Sequence, residues 1–396
     1  MEDINVLSAY INHRVAMPPP LKKSRLNDEG FQSAEENTSS VEFNTGFIFN
    51  IPFEIWHEIF SHLTSRPIPY CYDFVKCALE RKFALRALSQ TCRKFRNHFL
   101  WEQWNTVEIY PPDQTFPAVF IDQSMIRPFR KTHEILQYKC QGLIQTPELG
   151  AYVRKMTVSL ETRRCTPEIL EDLARCLHSL PNLHTFQITD APSPMRTRLK
   201  NVFSRHRYPK VHTVSIPRFA HHILASFPDV KTIISNRGEG GPFLTPIAKG
   251  CFKVENLEGF TPDTKMMRRL IKTVPNLKRI KFVASSDSLD LDILRMLSSF
   301  KHLCEIELRA PSNMTPTRIN ENYRLKVSIE IARKILQSQD RPRLVLHYRP
   351  YRSDFIQPWS MELDVYASPV GTHPGRVSAT TSRLRTSSLS HGNSRP

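Results

Sequence analysis

A short apolar pattern recurs between residues 153 and 308, and it restricts the fold more than any other feature of the chain. Seven segments follow the template apolar-x-x-apolar-x-apolar, with the last position departing from it at Ser235 and Gly259. Alternating apolar residues are typical of a strand with one buried face. The template therefore predicts seven strands, at Val153–Val158, Leu183–Ile188, Val211–Ile216, Val230–Ser235, Val254–Gly259, Leu277–Phe282 and Leu303–Leu308.

Helix start signals precede several of these strands. Thr166-Pro167-Glu168, Thr261-Pro262-Asp263 and Ser288 each stand before a segment with helical apolar spacing. Small polar residues and an early proline favour the first turn of a helix. The repeated unit is thus a helix, a short turn and a strand. Residues 328–339 and 343–348 form a further, more divergent copy of this unit.

The spacing of the units indicates how they assemble. Successive strands start 30, 28, 19, 24, 23 and 26 residues apart, within or near the range of about 20 to 29 residues that leucine-rich repeats show. Such units bury an apolar face only by stacking, with parallel strands on one side and helices on the other. We predict an α/β leucine-rich-repeat solenoid over residues 105–350. The alternative is an ordinary α/β domain whose strands match the template by chance.

A compact helical stretch precedes the repeats. Pro52 and Glu54 suit the first turn of a helix, and Ile55, Ile59 and Leu63 then recur along one helical face. A second segment is predicted to be one continuous amphipathic helix. Its apolar stripe consists of Leu85, Leu88, Cys92, Phe95 and Phe99.

The helical stretch resembles an F-box over about residues 49–104. Ile51-Pro52-x-Glu54-Ile55 stands for its usual leucine-proline-x-glutamate opening, and Leu88-Ser89-x-Thr91-Cys92-Arg93-x-Phe95 with Leu100-Trp101 is similar to its second half. Followed by leucine-rich repeats, this arrangement resembles the F-box proteins that are abundant in fungi. The connection Ser65–Cys77 is longer than a typical F-box loop. The expected fold is α+β overall: a small all-α domain, an α/β solenoid with a parallel sheet, and disordered termini at 1–45 and 367–396.

The resemblance implies a substrate-recognition subunit of an SCF-type cullin-RING ubiquitin ligase, with the F-box on a Skp-type adaptor and the repeats on a protein substrate. Helical apolar anchors are also what a helix-in-groove interface uses. The alternative is that most of these side chains only pack the two helices together or against the first repeat. The expected adaptor-binding residues are Pro52, Ile55, Ile59, Leu63, Leu88, Cys92, Phe95, Leu100 and Trp101.

The outward positions of the predicted strands define the expected substrate-binding face. Side chains alternate along a strand, so residues that flank the apolar template positions point away from the helices. If the strands stack in chain order, Lys281 lies between Glu258 and Glu307, and the charges form either a self-satisfied ladder or a patterned binding site. The expected face consists of Thr185, Gln187, Thr189, Glu258, Arg279, Lys281, Glu305 and Glu307.

Charge and motifs exclude several other classes of protein. The formal net charge is +17, which raises a nucleic-acid-binding solenoid as an alternative. We expect no nucleic-acid partner, because aromatic residues are not interleaved with the basic ones.

No enzyme motif or paired-cysteine spacing occurs, so we expect a non-catalytic protein without cofactor or metal. No apolar stretch is long enough to span a bilayer, and we expect a cytoplasmic or nuclear protein without a membrane partner. A scaffold that does not engage a ligase is the remaining alternative.

Overall fold

The computed structural model describes ten parts of the chain, which contain the repeats from Val153 to Tyr348 apart from short gaps. They are residues 52, 55, 58, 84–109, 132–160, 165–238, 241–286, 288–311, 314–348 and 359–366. The segments that we predict to be disordered, 1–45 and 367–396, lie outside the described residues, as does most of the first predicted helix.

In the described parts of the chain ten strands form one sheet, and their order in the sheet is their order along the chain. Strands β1 to β9 are parallel, and β10 pairs antiparallel with β9. All seven template segments contain a strand, and the divergent copy supplies β9, so these strand predictions are confirmed. The strands are β1 Thr106–Ile109, β2 Lys155–Ser159, β3 Thr185–Asp190, β4 Thr213–Ile216, β5 Thr232–Gly238, β6 Asn256–Phe260, β7 Arg279–Ser285, β8 Glu305–Arg309, β9 Arg343–Tyr348 and β10 Trp359–Leu363.

Helices connect the strands, and they pack on one face of the sheet. The central template residues, such as Met156, Phe186 and Leu257, are buried in the same core as the apolar helix residues. Among the described residues from 84 onward, the α-helices are α1 at 84–91, α2 Arg93–Asn105, α3 Thr132–Gln145, α4 Pro147–Gly150, α5 Pro167–Ser179, α6 Met195–Phe203, α7 Leu244–Gly250, α8 Thr264–Thr273, α9 Leu291–Met296 and α10 Tyr323–Leu336. Residues Arg218–Ser226 form a 3₁₀ helix between β4 and β5.

The helix start signals agree with the structure at two places and differ at a third. Thr166 is the N-cap of α5, and Asp263 is the N-cap of α8, where its Oδ1 accepts a hydrogen bond of 2.6 Å from the Met266 amide. The Ser288 prediction is wrong, because α9 begins after Asp290, whose carboxylate accepts from the Asp292 amide at 3.0 Å. The Ser288 hydroxyl instead donates to the Ser285 carbonyl.

The two departures from the template lie against each other. Gly259 in β6 has a φ of 80°, and a Cβ there would overlap the carbonyl oxygen of Ser235 in β5. The pairing of β6 with β7 shifts at this point, so that Phe260 lies opposite Phe282 and both are buried. A glycine in the left-handed region is the usual way to add a residue to one strand. The bulge thus returns an aromatic side chain to the core.

The second predicted helix is not continuous, contrary to expectation. Cys92 has extended backbone angles and separates α1 from α2. A stripe of apolar residues indicates which side chains share a face, but it does not require unbroken backbone hydrogen bonds. Leu85 and Phe99 are buried in a small separate cluster, with Leu88 and Phe95 packed against it.

The mixed α/β architecture with a mostly parallel sheet is confirmed. Two strands were not predicted. β1 follows α2 directly at Thr106, and β10 lies beyond the last repeat. Trp104, near the end of α2, packs against the main core, so the helical stretch is joined to the sheet without a connecting loop.

Candidate functional site

The sheet face opposite the helices carries two aligned rows of side chains. Strand pairing places each row in register from β2 to β9. The first row is Lys155, Thr185, Thr213, Thr232, Asn256, Arg279, Glu305 and Arg343. The second row is Thr157, Gln187, Ser215, Ile234, Glu258, Lys281, Glu307 and Val345. We call these two rows the sheet face.

Most charged residues of the sheet face lie on β6, β7 and β8. Lys281 is paired in register with Glu258 on one side and Glu307 on the other, as predicted. The Lys281 Nζ lies 2.6 Å from Glu307 Oε2. Arg279 contacts three carboxylates: its guanidinium lies 3.6 Å from Glu258 and 3.4 Å from Glu305, and it donates hydrogen bonds to Glu307. We call these five residues the charge cluster.

Burial makes this cluster tighter than a surface ion pair. The Glu307 side chain is only 5% exposed, although its strand position predicts an outward, accessible residue. Burial would raise the pKa of Glu307, but hydrogen bonds from Lys281 and Arg279 outweigh burial and hold that pKa below its usual range. Burial raises the pKa of Glu258, against the opposing effect of Arg279 and Lys281. The pKa values of the two carboxylates are therefore shifted in opposite directions from the ordinary glutamate value, that of Glu307 downward and that of Glu258 upward.

The cluster extends further than the sequence predicts. Arg343 on β9 lies 3.0 Å from Glu305 and 3.4 Å from Glu362 on β10. Arg343 occupies the first-row position of the divergent repeat, which is the signal that could have identified it. Glu362 could not be found this way, because β10 has no template.

Between Lys155 on β2 and the charge cluster, the sheet face is uncharged and polar except for Ile234. Thr185 and Gln187 lie half-buried on β3, and the Asn256 amide donates to the Thr232 hydroxyl at 2.9 Å. Thr189 lies beyond the aligned rows, and its hydroxyl contacts the Val158 carbonyl at 3.3 Å. The structure thus brings the predicted charged residues together on three neighbouring strands, while the three predicted residues of β3 lie apart from them.

Asn236 is a polar residue of this face that the sequence does not single out. Its Oδ1 accepts a hydrogen bond of 2.6 Å from the Ser215 hydroxyl, and its Nδ2 donates to the Ile188 carbonyl at 2.6 Å. One amide therefore ties together β3, β4 and β5. The bonds identify Asn236 as a residue that orders the upstream face.

We expect Glu307→Gln to lower the free energy of unfolding at pH 7 by about 2 to 3 kcal/mol, because it leaves Lys281 and Arg279 facing a neutral amide. The pKa of Glu307 is lower in the folded state, so its carboxylate stabilises the fold at pH values above the unfolded-state glutamate pKa of about 4.3. This stabilisation is lost as the pH falls through the folded-state pKa. The difference between parent and variant should therefore shrink below about pH 4. Urea denaturation at several pH values measures it.

Glu362→Gln is the matched control, since its side chain is 60% exposed. Exposed ion pairs contribute about 0 to 1 kcal/mol, so this variant should remain close to the parent. Equal losses for the two variants, or a difference that does not change with pH, would contradict the assignment of Glu307.

The predicted adaptor-binding residues divide into two groups. Pro52, Ile55 and Cys92 are exposed, and the Ile55 side chain is accessible over 51% of its surface. The remaining described residues are partly buried: Leu88, Phe95, Leu100 and Trp101. Leu88 and Phe95 pack within the helical stretch, as the packing alternative predicts. Ile59 and Leu63 lie outside the described residues.

The described parts of the chain contain no group of three or more histidine, cysteine, aspartate or glutamate side chains arranged to hold a metal ion. Among the described helices, none combines the length and apolarity that crossing a membrane requires.

Comparison with known proteins gives no relative, since neither a family model nor a curated protein sequence matches this chain.

Proposed function

We propose that the chain is the substrate-recognition subunit of an SCF-type cullin-RING ubiquitin ligase. In this proposal residues 49–104 are an F-box that docks on a Skp-type adaptor, and residues 105–350 are a leucine-rich-repeat solenoid that binds a protein substrate. The protein itself is non-catalytic. The observation that carries the proposal is the strand order, because one register persists through eight successive repeats.

A repeat array of this kind supports binding to a protein. Each unit contacts mainly its neighbours, so the outward strand positions form one extended face. Its first row is partly or fully exposed, whereas Thr157, Ser215, Glu307 and Val345 of the second row are buried. On this surface an uncharged polar part adjoins the charge cluster, in which three carboxylates oppose two cations, with Arg343 beside them. Charges arranged in this way favour orientation and specificity of a partner over non-specific attraction.

The helical stretch supports the adaptor half of the proposal. The helical stretch has a small apolar cluster of its own. Among its described residues, only Leu85 and Phe99 are buried in that cluster. Ile55 is half-exposed, so a partner can reach it. Apolar anchors on helices are the contacts that groove-type recognition uses.

We expect Ile55→Asp in the full chain to weaken capture of a purified Skp-type adaptor more than tenfold, because burying an uncompensated carboxylate costs several kcal/mol. Ile55 is the better site for this test than Leu88, since Leu88 packs against the buried pair and its replacement would disturb the fold. Biolayer interferometry measures the affinity, and circular dichroism confirms that the variant is folded.

Phe252→Asp is the control, because Phe252 is 73% exposed but lies between α7 and β6. It should bind the adaptor as the parent does. A folded Ile55→Asp protein with parental affinity would show that the docking surface lies elsewhere. If the parent captures no adaptor, the scaffold without ligase engagement replaces the ligase proposal; salt-sensitive DNA or RNA binding would favour the nucleic-acid-binding solenoid.

A further inference from the structure

The part of the chain between β3 and β7 carries a large excess of positive charge. Residues 195–278 contain 16 Lys and Arg residues against 5 Asp and Glu residues, an excess of 11. Much of this excess lies on exposed helix positions. We call the following exposed side chains of α6, α7 and α8 the basic helix face: Lys200, Lys249, Lys265, Arg268 and Lys272.

The carboxylates described in this region are already engaged. Asp229 lies 2.7 Å from Lys253, and Glu255 lies 2.9 Å from Lys278. Glu258 belongs to the charge cluster, and Asp263 caps α8. Within the described residues, no cation of the basic helix face has a carboxylate at ion-pair distance. The basic helix face thus differs from the charge cluster of the sheet face, where Arg279 and Lys281 both contact carboxylates.

The basic helix face is a continuous surface rather than scattered charges. α6 packs on the 3₁₀ helix Arg218–Ser226, which packs on α7, and α7 packs on α8. Side chains also bridge these elements, with Arg196 Nε 3.0 Å from His222 Nε2 and Arg269 within 3.3 Å of the Thr245 hydroxyl. Packed helices lie about 8 to 10 Å apart, so the three steps from α6 to α8 span about 25 to 30 Å.

The chain contains a segment with the opposite charge. Residues 26–65 include seven Asp and Glu residues and no Lys or Arg. Five of these acids lie within residues 28–42, before the predicted F-box, and we call 28–42 the acidic segment: Asp28, Glu29, Glu35, Glu36 and Glu42. The segment lies outside the described residues.

We propose that the acidic segment docks on the basic helix face of the same chain. An extended chain spans about 3.3 to 3.6 Å per residue, so the 14 steps from Asp28 to Glu42 reach about 45 to 50 Å. That length exceeds the span of the basic helix face. Tethering gives such a segment an effective concentration in the millimolar range, which offsets the weakness of individual exposed ion pairs.

The basic C-terminal tail is not a suitable occupant. Residues 367–396 contain four Arg residues and no Asp or Glu, so this tail repels the basic helix face. A docked acidic segment would shield the helix layer from other polyanions. Because the contact is electrostatic and exposed, it weakens as the ionic strength rises.

Zero-length carbodiimide cross-linking of the full chain, followed by mass spectrometry, tests the contact directly. We expect amide links from the acidic segment to Lys200, Lys249, Lys265 and Lys272, and we expect them to disappear in 1 M salt, where the Debye length is about 3 Å. Exposed Lys301 and Lys334 are the internal controls. Links to these controls at the same frequency, or no links to the basic helix face, would overturn the proposal.

Binding of a fluorescent 20-residue polyglutamate probe gives a second measurement. We expect probe binding to tighten about tenfold at low salt when all five acids are neutralised, because this removes an internal competitor. The substitutions are Asp28→Asn, Glu29→Gln, Glu35→Gln, Glu36→Gln and Glu42→Gln. The double variant Glu35→Gln, Glu36→Gln should tighten probe binding about threefold, because it removes two of the five negative charges.

The control for the two-site variant is Glu2→Gln with Asp3→Asn, which changes the net charge equally but lies outside the acidic segment. This control should bind the probe as the parent does. Equal effects of the two double variants would show a general charge effect and overturn the proposal. The same conclusion follows if the five-site variant fails to bind the probe more tightly than the parent.

Discussion

Replacement of Gly259 by alanine is expected to lower the free energy of unfolding by about 4 kcal/mol. The residue has a φ of 80°, which alanine adopts only with strain, and the new Cβ would overlap the carbonyl oxygen of Ser235 on the neighbouring strand. Relief of this overlap requires β5 and β6 to separate, because the obstacle is backbone rather than a movable side chain. Urea denaturation followed by circular dichroism measures the loss.

Gly241→Ala is the matched control for this substitution. Nothing lies within 4 Å of a Cβ built at Gly241, so the change should alter stability by no more than about 0.5 kcal/mol. A Gly259→Ala protein within about 1 kcal/mol of the parent would show that the bulge does not hold the two strands as described, since the strain alone is expected to exceed that value.

The bulge also illustrates what the repeat pattern can predict. The template placed the strands correctly because every second position must be apolar where one face of a strand is buried, as at Ile280 and Ile306. It also predicted the register of Lys281 between Glu258 and Glu307. At Gly259 the template fails, and the failure has a local cause that involves the next strand. A pattern within one strand carries no information about that contact.

Two other differences have similar physical origins. The break at Cys92 was not predicted, because the apolar stripe from Leu85 to Phe99 is compatible with one helix or with two. The near-complete burial of Glu307 was not predicted either, because it results from side chains of neighbouring strands that cover its carboxylate. Arg279 contacts three carboxylates only because its guanidinium reaches both adjacent strands. Alternation gives the direction of a side chain but not what lies over it.

The C-terminal end of the sheet was missed for a further reason. β10 pairs antiparallel with β9 and therefore does not belong to the repeating helix–strand unit. After β10, Val365 is buried in the main core at 4% exposure. Arg333 of α10 donates a hydrogen bond to the Asp364 carbonyl, and Gln337, the C-cap residue of α10, donates one to the Val365 carbonyl. This segment covers the last repeat, whose apolar face would otherwise meet solvent, as terminal repeats of an array require.

Val365→Asp is therefore expected to lower the free energy of unfolding by about 3 to 5 kcal/mol, because it places an unpaired carboxylate in an apolar core. Tyr366→Asp is the adjacent control, since Tyr366 is 64% exposed, and it should change stability by no more than about 0.5 kcal/mol. Denaturation measures the global effect, and amide hydrogen exchange measures where the structure opens. We expect faster exchange in β9 and β10 than in β3, because each repeat depends mainly on its neighbours. Equal stability of the two variants would show that the segment after β10 does not close the core.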